Sequence, residues 1–356
     1  MARVAVIHDW LTGMRGGEAV LEAILDAIPG AELFTLFHFP GSVSQKIESR
    51  VVRTSYLQPL ASRVSDYRKL LPLFPSAARQ FDLRGFDLVV SSSHCVAKSV
   101  KARGIPHLCY CHTPMRYVWD RFDDYFPRSK PFTRAAVWPL ASLLRKWDAK
   151  TAGEVTQFLA NSNFVRERIA KYYGREAEVV HPFVDDAFLQ APLAEGRDDY
   201  HVIVSALVPY KRIDLAMSTG KRLVIIGSGP LLEELRRRRT PNVELLGSVQ
   251  RDRIVERLSR ARSLILPGIE DFGITPLEAM AVGTPVVALR AGGVLDSVVE
   301  GRTGIFFERQ DVESLRRALD EAESVAWDRA ALRSHAAQFS RARFTEKFLA
   351  ALNRLP

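Results

Sequence analysis

Cysteine is scarce in this chain, and its scarcity sets the first boundary on what the protein can be. Cys95, Cys109 and Cys111 are the only three among 356 residues, too few for a disulfide framework. The Cys-x-Cys-His run that ends at His112 has no second pair at zinc spacing, so no metal ion is expected. Long apolar runs are missing as well. No stretch of roughly 18 uncharged apolar residues occurs, which leaves no candidate for a transmembrane helix. The opening "MARVAVIHDWL" reads as a first buried strand, without the apolar stretch and small-residue cleavage site of a signal peptide, so the expected location is the cytoplasm. The dinucleotide fingerprint is lacking too. "HDWLTGMRGGEAV" does not have its glycine spacing or the ribose-binding acid about twenty residues on, and "GSGPLLEEL" supplies only its first half.

What is present is enough hydrophobic residue, 47%, to bury a large core, in a length that suggests two domains. The formal charge of +9 favours an anionic partner, whether nucleotide, phospholipid surface or nucleic acid. The densest basic run, "LRRRRTPN" (residues 235–242), falls at the end of an expected helix, where cations complement the helix dipole. It is read as a solvated helix end, and nucleic acid is not an expected partner.

Short apolar runs alternate with helix-period segments. "VAVIHDW" precedes "GGEAVLEAILDAI", then come "FDLVVSSS", "IPHLCYCHTP" and "TQFLANS", the last followed by "NFVRERIAKYY". A second series holds "HVIVSAL", "RLVIIGSGP", "VELLGSV", "SLILPGI" and "TPVVAL". Buried strands alternating with helices imply parallel sheets, hence an α/β fold of two doubly wound Rossmann-like domains facing a cleft. The expected division is 1–183 for a first Rossmann-like domain, 184–200 for a proline- and acid-rich linker, and 201–338 for a second Rossmann-like domain. Residues 339–356 are expected to form a C-terminal helix that packs back on the first domain.

Chemistry concentrates at a few places. Gly13, Gly16 and Gly17 lie between the first strand and first helix, where backbone can approach a ligand at the positive helix end, or simply turn. Lys211 and Arg212 follow the first strand of the second series, placed to neutralise a diphosphate leaving group or to stand as surface cations. His112 is the first polar residue after its strand, read either as structural or as ligand-contacting. In "EDFGITPLEAMAVGTPVVA", Thr275 is an expected N-cap, Pro276 the first helical residue and Glu278 the third, as in a capping box. That reading explains Glu278 without a ligand and leaves Glu270 unexplained.

Taken in order, Gly16-Gly17-Glu18, "CHTPMRYVW", "ANSNFV", "LVPYKR", "IGSGP" and the Glu, seven residues, Glu pattern at Glu270 and Glu278 resemble the retaining, nucleotide-sugar-dependent glycosyltransferases of the GT-B fold. The group includes bacterial mannosyltransferases of polysaccharide assembly. The resemblance implies a hexosyltransferase whose donor is a nucleotide sugar, GDP-mannose being the best guess, with no cofactor and no metal. Its acceptor would be a saccharide or a polyprenyl-linked saccharide. It implies that Glu278 accepts hydrogen bonds from the ribose hydroxyls and that Glu270 contacts the transferred sugar. Backbone around Gly273, Ile274 and Thr275 would meet the donor, Lys211 the diphosphate, and His112 the reaction centre, while Gly16 and Gly17 admit the diphosphate. The mechanism implied is front-face displacement, with the leaving phosphate oxygen taking the acceptor's proton. Ala206 departs from the pattern, which commonly has arginine there; Arg212 is the nearest substitute. The rival readings are a hydrolase using Glu270 and Glu278 as a retaining glycosidase pair, a nucleotide-sugar epimerase, and a catalytically weakened binding protein. The segment "SKPFTRAAVWPLASLLRKWDAK" mixes Phe132, Trp138, Leu143 and Trp147 with Lys130, Arg134 and Lys146. It reads as an ordinary core helix or as an interfacial one that would bring the protein to an anionic membrane surface.

Overall fold

A computed structural model describes residues 2–50, 52–64, 66–125 and 131–356. It divides into two compact units, Met1–His181 with Phe344–Pro356, and Pro182–Arg343. Each is built on one parallel sheet.

In the first unit the strands are β1 (Val4–His8), β2 (Glu32–Thr35), β3 (Val52–Thr54), β4 (Leu88–Ser93), β5 (His107–Cys111), β6 (Gln157–Ala160) and β7 (Ala177–Val179). Their spatial order is β3-β2-β1-β4-β5-β6-β7, every pairing parallel. The chain therefore leaves β1 in one direction for β2 and later returns to its other side as β4. That reversal opens a crevice beyond the carboxyl ends of β1 and β4, the place where such sheets hold ligands. β1 and β5 are buried along their whole length, as strands covered on both faces must be.

The second unit repeats the plan with β8 (His201–Val204), β9 (Leu223–Ile226), β10 (Val243–Gly247), β11 (Leu264–Leu266), β12 (Val286–Leu289) and β13 (Gly304–Phe307), in the order β10-β9-β8-β11-β12-β13. Here the reversal lies between β8 and β11. Alternate residues serve opposite layers: Val202, Leu264 and Val286 join one core, and their successors Ile203, Ile265 and Val287 join the other.

The segment expected as a linker is built into the second unit. Asp185 caps a short helix, Asp186–Gln190, by accepting from the Ala187 N–H at 2.9 Å. Val184 and Phe188 sit in the unit's core. Proline and acid suggested a loose connection, but Val184, Phe188 and Ala191 supply the apolar contacts that hold the segment down. Residues 344–356 belong to the first unit, where Phe344 and Phe348 are fully buried.

Candidate active site

In the first unit the carboxyl ends of three adjacent strands carry a cluster of buried polar side chains. His8 ends β1, Asp9 follows it, Ser92 lies near the end of β4, and His112 follows β5. The Asp9 carboxylate accepts four backbone N–H groups, those of His94, Cys95, Val96 and Ala97, at 2.6–2.9 Å. It thereby fastens the turn after β4 and places the His94 ring 3.2 Å from the same carboxylate. Burial, partly offset by Asp9, moves the His94 ring below the usual histidine range.

His112 is held from both sides. Its Nε2 shares a hydrogen bond with Ser92 Oγ at 2.8 Å, and its carbonyl accepts from Asn161 Nδ2 at 2.9 Å. Gly17, in the first turn of the helix Gly16–Ala27, lies against its ring: a Cβ there would stand 3.9 Å from His112 Nε2. The glycine pair and the histidine, far apart in the chain, thus share one place. The "ANSNFV" motif is explained locally. Asn161 clamps His112, and Ser162 caps the helix Asn163–Tyr173 by accepting from the Val165 N–H at 3.1 Å.

In the second unit the corresponding strand ends bring Lys211 and Glu270 into an ion pair. The loops that carry them touch through glycine. A Cβ on Gly268 would lie 2.6 Å from the Tyr210 carbonyl oxygen, so only glycine lets the turn after β11 pass the turn after β8. Gly227 and Gly229 of "IGSGP" serve the same end, since their Cβ atoms would meet the carbonyls of Ser205 and Leu207 at 1.8 and 2.5 Å. Arg212, next to Lys211 in the chain, is paired as well. Its guanidinium donates to Gln310 Oε1 at 3.2 Å and to Asp214 Oδ1 at 3.3 Å, and its backbone is left-handed, with φ of 51°.

The capping box at Thr275 is not formed. The helix runs Thr275–Ala281 with Ile274 as N-cap and no side-chain cap, so Thr275 and Pro276 are the first two helical residues and Glu278 the fourth. Left-handed Gly273, with φ of 83°, turns the chain into the helix one residue earlier than the Thr-Pro signal suggests. The N–H groups of Gly273, Ile274 and Thr275 donate to no acceptor among the described residues. Released from capping, the Glu278 carboxyl makes no hydrogen bond among the described residues either. Desolvation, reinforced by the charge of Asp185 and opposed by Arg251, pushes it up to about 7. Asp185 and Arg251 are themselves paired at 2.9 Å.

Three features of the site had little sequence signal: His8 and Asp9 close one strand, and Ser92 is one of three consecutive serines that end another. The clue available was position, because a polar residue at the carboxyl end of a buried strand faces the crevice. Elsewhere, Arg236 and Arg238 of the basic run pair with Glu233 and Glu234 on their own helix at 2.6 and 3.0 Å. The helix Pro131–Ala152 exposes Phe132, Trp138 and Leu143, while Ala141 and Leu144 are buried. Ser129 and Lys130 lie outside the described residues. No helix among the described residues is long and apolar enough to cross a membrane.

Comparison with known proteins defines the class. A family described as Glycosyltransferase Family 4 matches residues 27–188, and one described as Glycosyl transferases group 1 matches residues 185–339. The chain thus carries the two glycosyltransferase domains of the GT-B type, one on each sheet. Among curated relatives, the GDP-mannose-dependent alpha-(1-6)-phosphatidylinositol monomannoside mannosyltransferase of Mycolicibacterium smegmatis is 31% identical over 194 residues, covering 45% of this chain and 51% of its own. An uncharacterized glycosyltransferase of Methanocaldococcus jannaschii is 25% identical over 169 residues, 45% of this chain and 47% of its own. The chain therefore spans about half the length of the curated relatives it matches. The fold extends over whole chains: Anabaena HepE in complex with UDP superposes with a TM-score of 0.72 at 16% identity, covering 99% of both. The lipopolysaccharide galactosyltransferase WaaB gives 0.68 at 17% identity, covering 98% of this chain and 99% of that one.

Proposed function

We propose that this protein is a retaining, metal-independent hexosyltransferase that uses a nucleotide sugar, GDP-mannose first among the candidates, and passes the hexose to a saccharide or lipid-linked acceptor. The observation that carries the reading is the paired Lys211 and Glu270 beside a helix that opens with unsatisfied N–H groups and bears the unbonded Glu278. A diphosphate needs cations and free donors, and a ribose needs a carboxylate that accepts from two hydroxyls. All of these stand at the strand ends of the second unit.

On this reading Lys211 exchanges its carboxylate partner for the donor's diphosphate, which releases Glu270 toward the hexose. Negative charge grows on the leaving phosphate as the glycosidic bond breaks, so Lys211 and the N–H groups of Gly273, Ile274 and Thr275 bind the transition state more tightly than the ground state. Arg212 contributes by holding the Lys211 turn in place through Gln310, whose amide also donates to the Pro267 carbonyl at 2.8 Å. Gly16 and Gly17 keep the approach to His112 open, and His112 lines the acceptor side. The choice of GDP-mannose rests on the mannosyltransferase relatives. The structural neighbours bound to UDP and UDP-glucose support the nucleotide-sugar class, not the base. The exposed Phe132, Trp138 and Leu143 support work on a lipid-linked acceptor from the cytoplasmic face of a membrane.

The test has two stages. Thermal shifts with GDP-mannose, GDP, UDP-glucose and UDP identify the base, a shift with one nucleotide family being expected; a ligand at about a hundred times its dissociation constant adds about 2.7 kcal/mol. Transfer to a lipid-linked saccharide, with EDTA present and the product anomer read by NMR, then tests retention and metal independence. A nucleotide shift without transfer would favour the weakened binding protein, for which exposed Ala206 is the ground, and no shift with any nucleotide would sink the donor site. An inverted product would sink the mechanism.

A further inference from the structure

A cavity of about 790 Å3 opens in the second unit at the amino ends of β9 and β10, away from the strand ends that carry Lys211 and Glu270. Its volume falls within the range of small-molecule sites. Arg222 lines it just before β9, Arg239 and Thr240 just before β10, and Arg257 from the helix Arg251–Arg260. The run "LRRRRTPN" ends here. Three of its arginines serve their own helix, Leu232–Arg238: Arg236 and Arg238 pair with Glu233 and Glu234, and Arg237 donates to the Glu233 carbonyl at 3.3 Å. Arg239 is where the chain leaves that helix in an extended conformation, and it brings the last charge of the run to the cavity. The side chains of Arg222 and Arg239 are exposed and make no hydrogen bond or ion pair among the described residues. Arg257 differs from both. Its side chain is only 19% exposed, its carboxylate partner Glu244 stands 3.5 Å away, and its Nε is buried with no hydrogen-bond partner among the described residues. A buried guanidinium donor left unmet costs free energy, which an acceptor arriving beside it would recover.

We propose that this cavity binds a small phosphorylated sugar, its phosphate on Arg222, Arg239 and Arg257 and its hydroxyls on the neighbouring carboxylates and Thr240. Guanidinium groups present paired donors at the spacing of phosphate oxygens. The carboxylates of the same lining decide what the phosphate is attached to. Asp198 and Asp199 are compensated by Arg260 and Arg262, at 3.3 and 2.9 Å, and Glu244 by Arg257. The charges of Arg222 and Arg239 are left over, and together they match one phosphate monoester dianion. The paired carboxylates keep lone pairs for hydroxyl donors, which a sugar supplies. A long polyanion such as nucleic acid would instead set further phosphates against those carboxylates. Tyr200 backs the site. It is buried, its hydroxyl donates to the Arg257 carbonyl at 2.8 Å, and its ring centroid lies 5.9 Å from the Arg257 guanidinium carbon. The four residues of β9 put the cavity roughly 13 Å from the donor end of the sheet, so a sugar phosphate held here leaves that end unoccupied.

Binding here is independent of sugar transfer, so the test reads the free protein. Nitrogen–proton NMR of arginine side chains resolves individual Nε–H groups, and the Arg257→Lys spectrum identifies the signal of Arg257. Titration with mannose 6-phosphate or glucose 1-phosphate is expected to move that signal saturably at millimolar concentration or below. Inorganic phosphate should bind at least about tenfold more weakly than the better of the two, and free mannose should leave the signal in place. The double change Arg222→Gln with Arg239→Gln, at two exposed positions, should weaken the sugar phosphate about tenfold or more. Arg236→Gln with Arg238→Gln removes the same charge from the adjoining helix and should alter it less than about twofold. No saturable movement with either sugar phosphate, inorganic phosphate binding as well as both, or equal losses in the two double variants would each overturn the site. Glu278→Gln, which disables the proposed donor site, should leave the titration unchanged. A response lost in that variant would mean that the sugar phosphate enters at the donor end, and the second site would fall. A normal titration in a protein that transfers no sugar would defeat the transfer and leave this site standing.

Discussion

Glu278 sits where its charge is disfavoured, since it has lost water and gained no hydrogen bond. Its carboxyl titrates at about 7 rather than 4.5, so between those values the folded chain holds a proton that the unfolded chain has released. The unfolded state binds fewer protons there, and stability falls as pH rises through that window, then levels above it. Glu278→Gln removes the titration. The variant should be more stable than wild type near pH 8 by about 1–3 kcal/mol, the two converging toward pH 4.5, as read from melts across pH. It should also lose any stabilisation by nucleotide. Ribose hydroxyls would favour the charged carboxylate, so donor binding near pH 6.5 should release protons, which calorimetry in buffers of different ionisation heat detects. Proton uptake would contradict a ribose contact. Lys211 poses the reverse case. Lys211→Met leaves Glu270 half-buried and unpaired, which should cost about 1–3 kcal/mol of stability and abolish the nucleotide shift. A Met variant that still responds to nucleotide would remove Lys211 from the diphosphate site.

At the scale of the element, the first turn of the helix Gly16–Ala27 separates local stability from ligand access. A Cβ on Gly17 would only reach van der Waals distance from the His112 ring, 3.9 Å, and helix propensity favours alanine. Gly17→Ala should therefore leave stability unchanged or raise it by up to about 1 kcal/mol. If a ligand approaches that backbone closely, the same change should lower kcat/KM at least tenfold. Retained activity would make the glycine pair a plain turn. The elements that sequence reveals best are those with nearly unbroken apolar runs, β1, β8 and β9, whose burial leaves little room for polar letters. The short strands β3 and β7, three residues each, carry no such run and draw their pairing from neighbours. The helix Thr275–Ala281 shows why boundaries are harder. Thr-Pro is a strong local start signal, but Gly273 fixes the turn, and the cap moves to Ile274. Glu270 was visible as a residue that local structure did not use, while Glu278, Lys211 and His112 each had a local reading beside the functional one. His8 and Ser92 became visible only when the ends of neighbouring strands met.

At the scale of the whole molecule, the chain builds its first unit from both of its ends. Phe344 and Phe348 stack with ring centroids 6.0 Å apart, and Phe344 lies 5.6 Å from Tyr110 of β5. The salt bridge between Arg354 and Glu178 ties the last turn to β7. These residues follow the second unit in sequence, so the first sheet's packing is complete only once residues 344–356 have been made. Phe348→Ala removes a fully buried ring and should cost the first unit about 3–5 kcal/mol. Lys211, Glu270 and Glu278 lie in Pro182–Arg343, so a nucleotide held by them and the mutation act mainly on different units. Scanning calorimetry should show Phe348→Ala lowering one unfolding transition and the bound nucleotide raising another. If both perturbations move a single transition together, the two sheets unfold as one cooperative body. If the nucleotide raises the same transition that Phe348→Ala lowers and leaves a second one untouched, the donor binds the first unit and the roles of Lys211, Glu270 and Glu278 fall together.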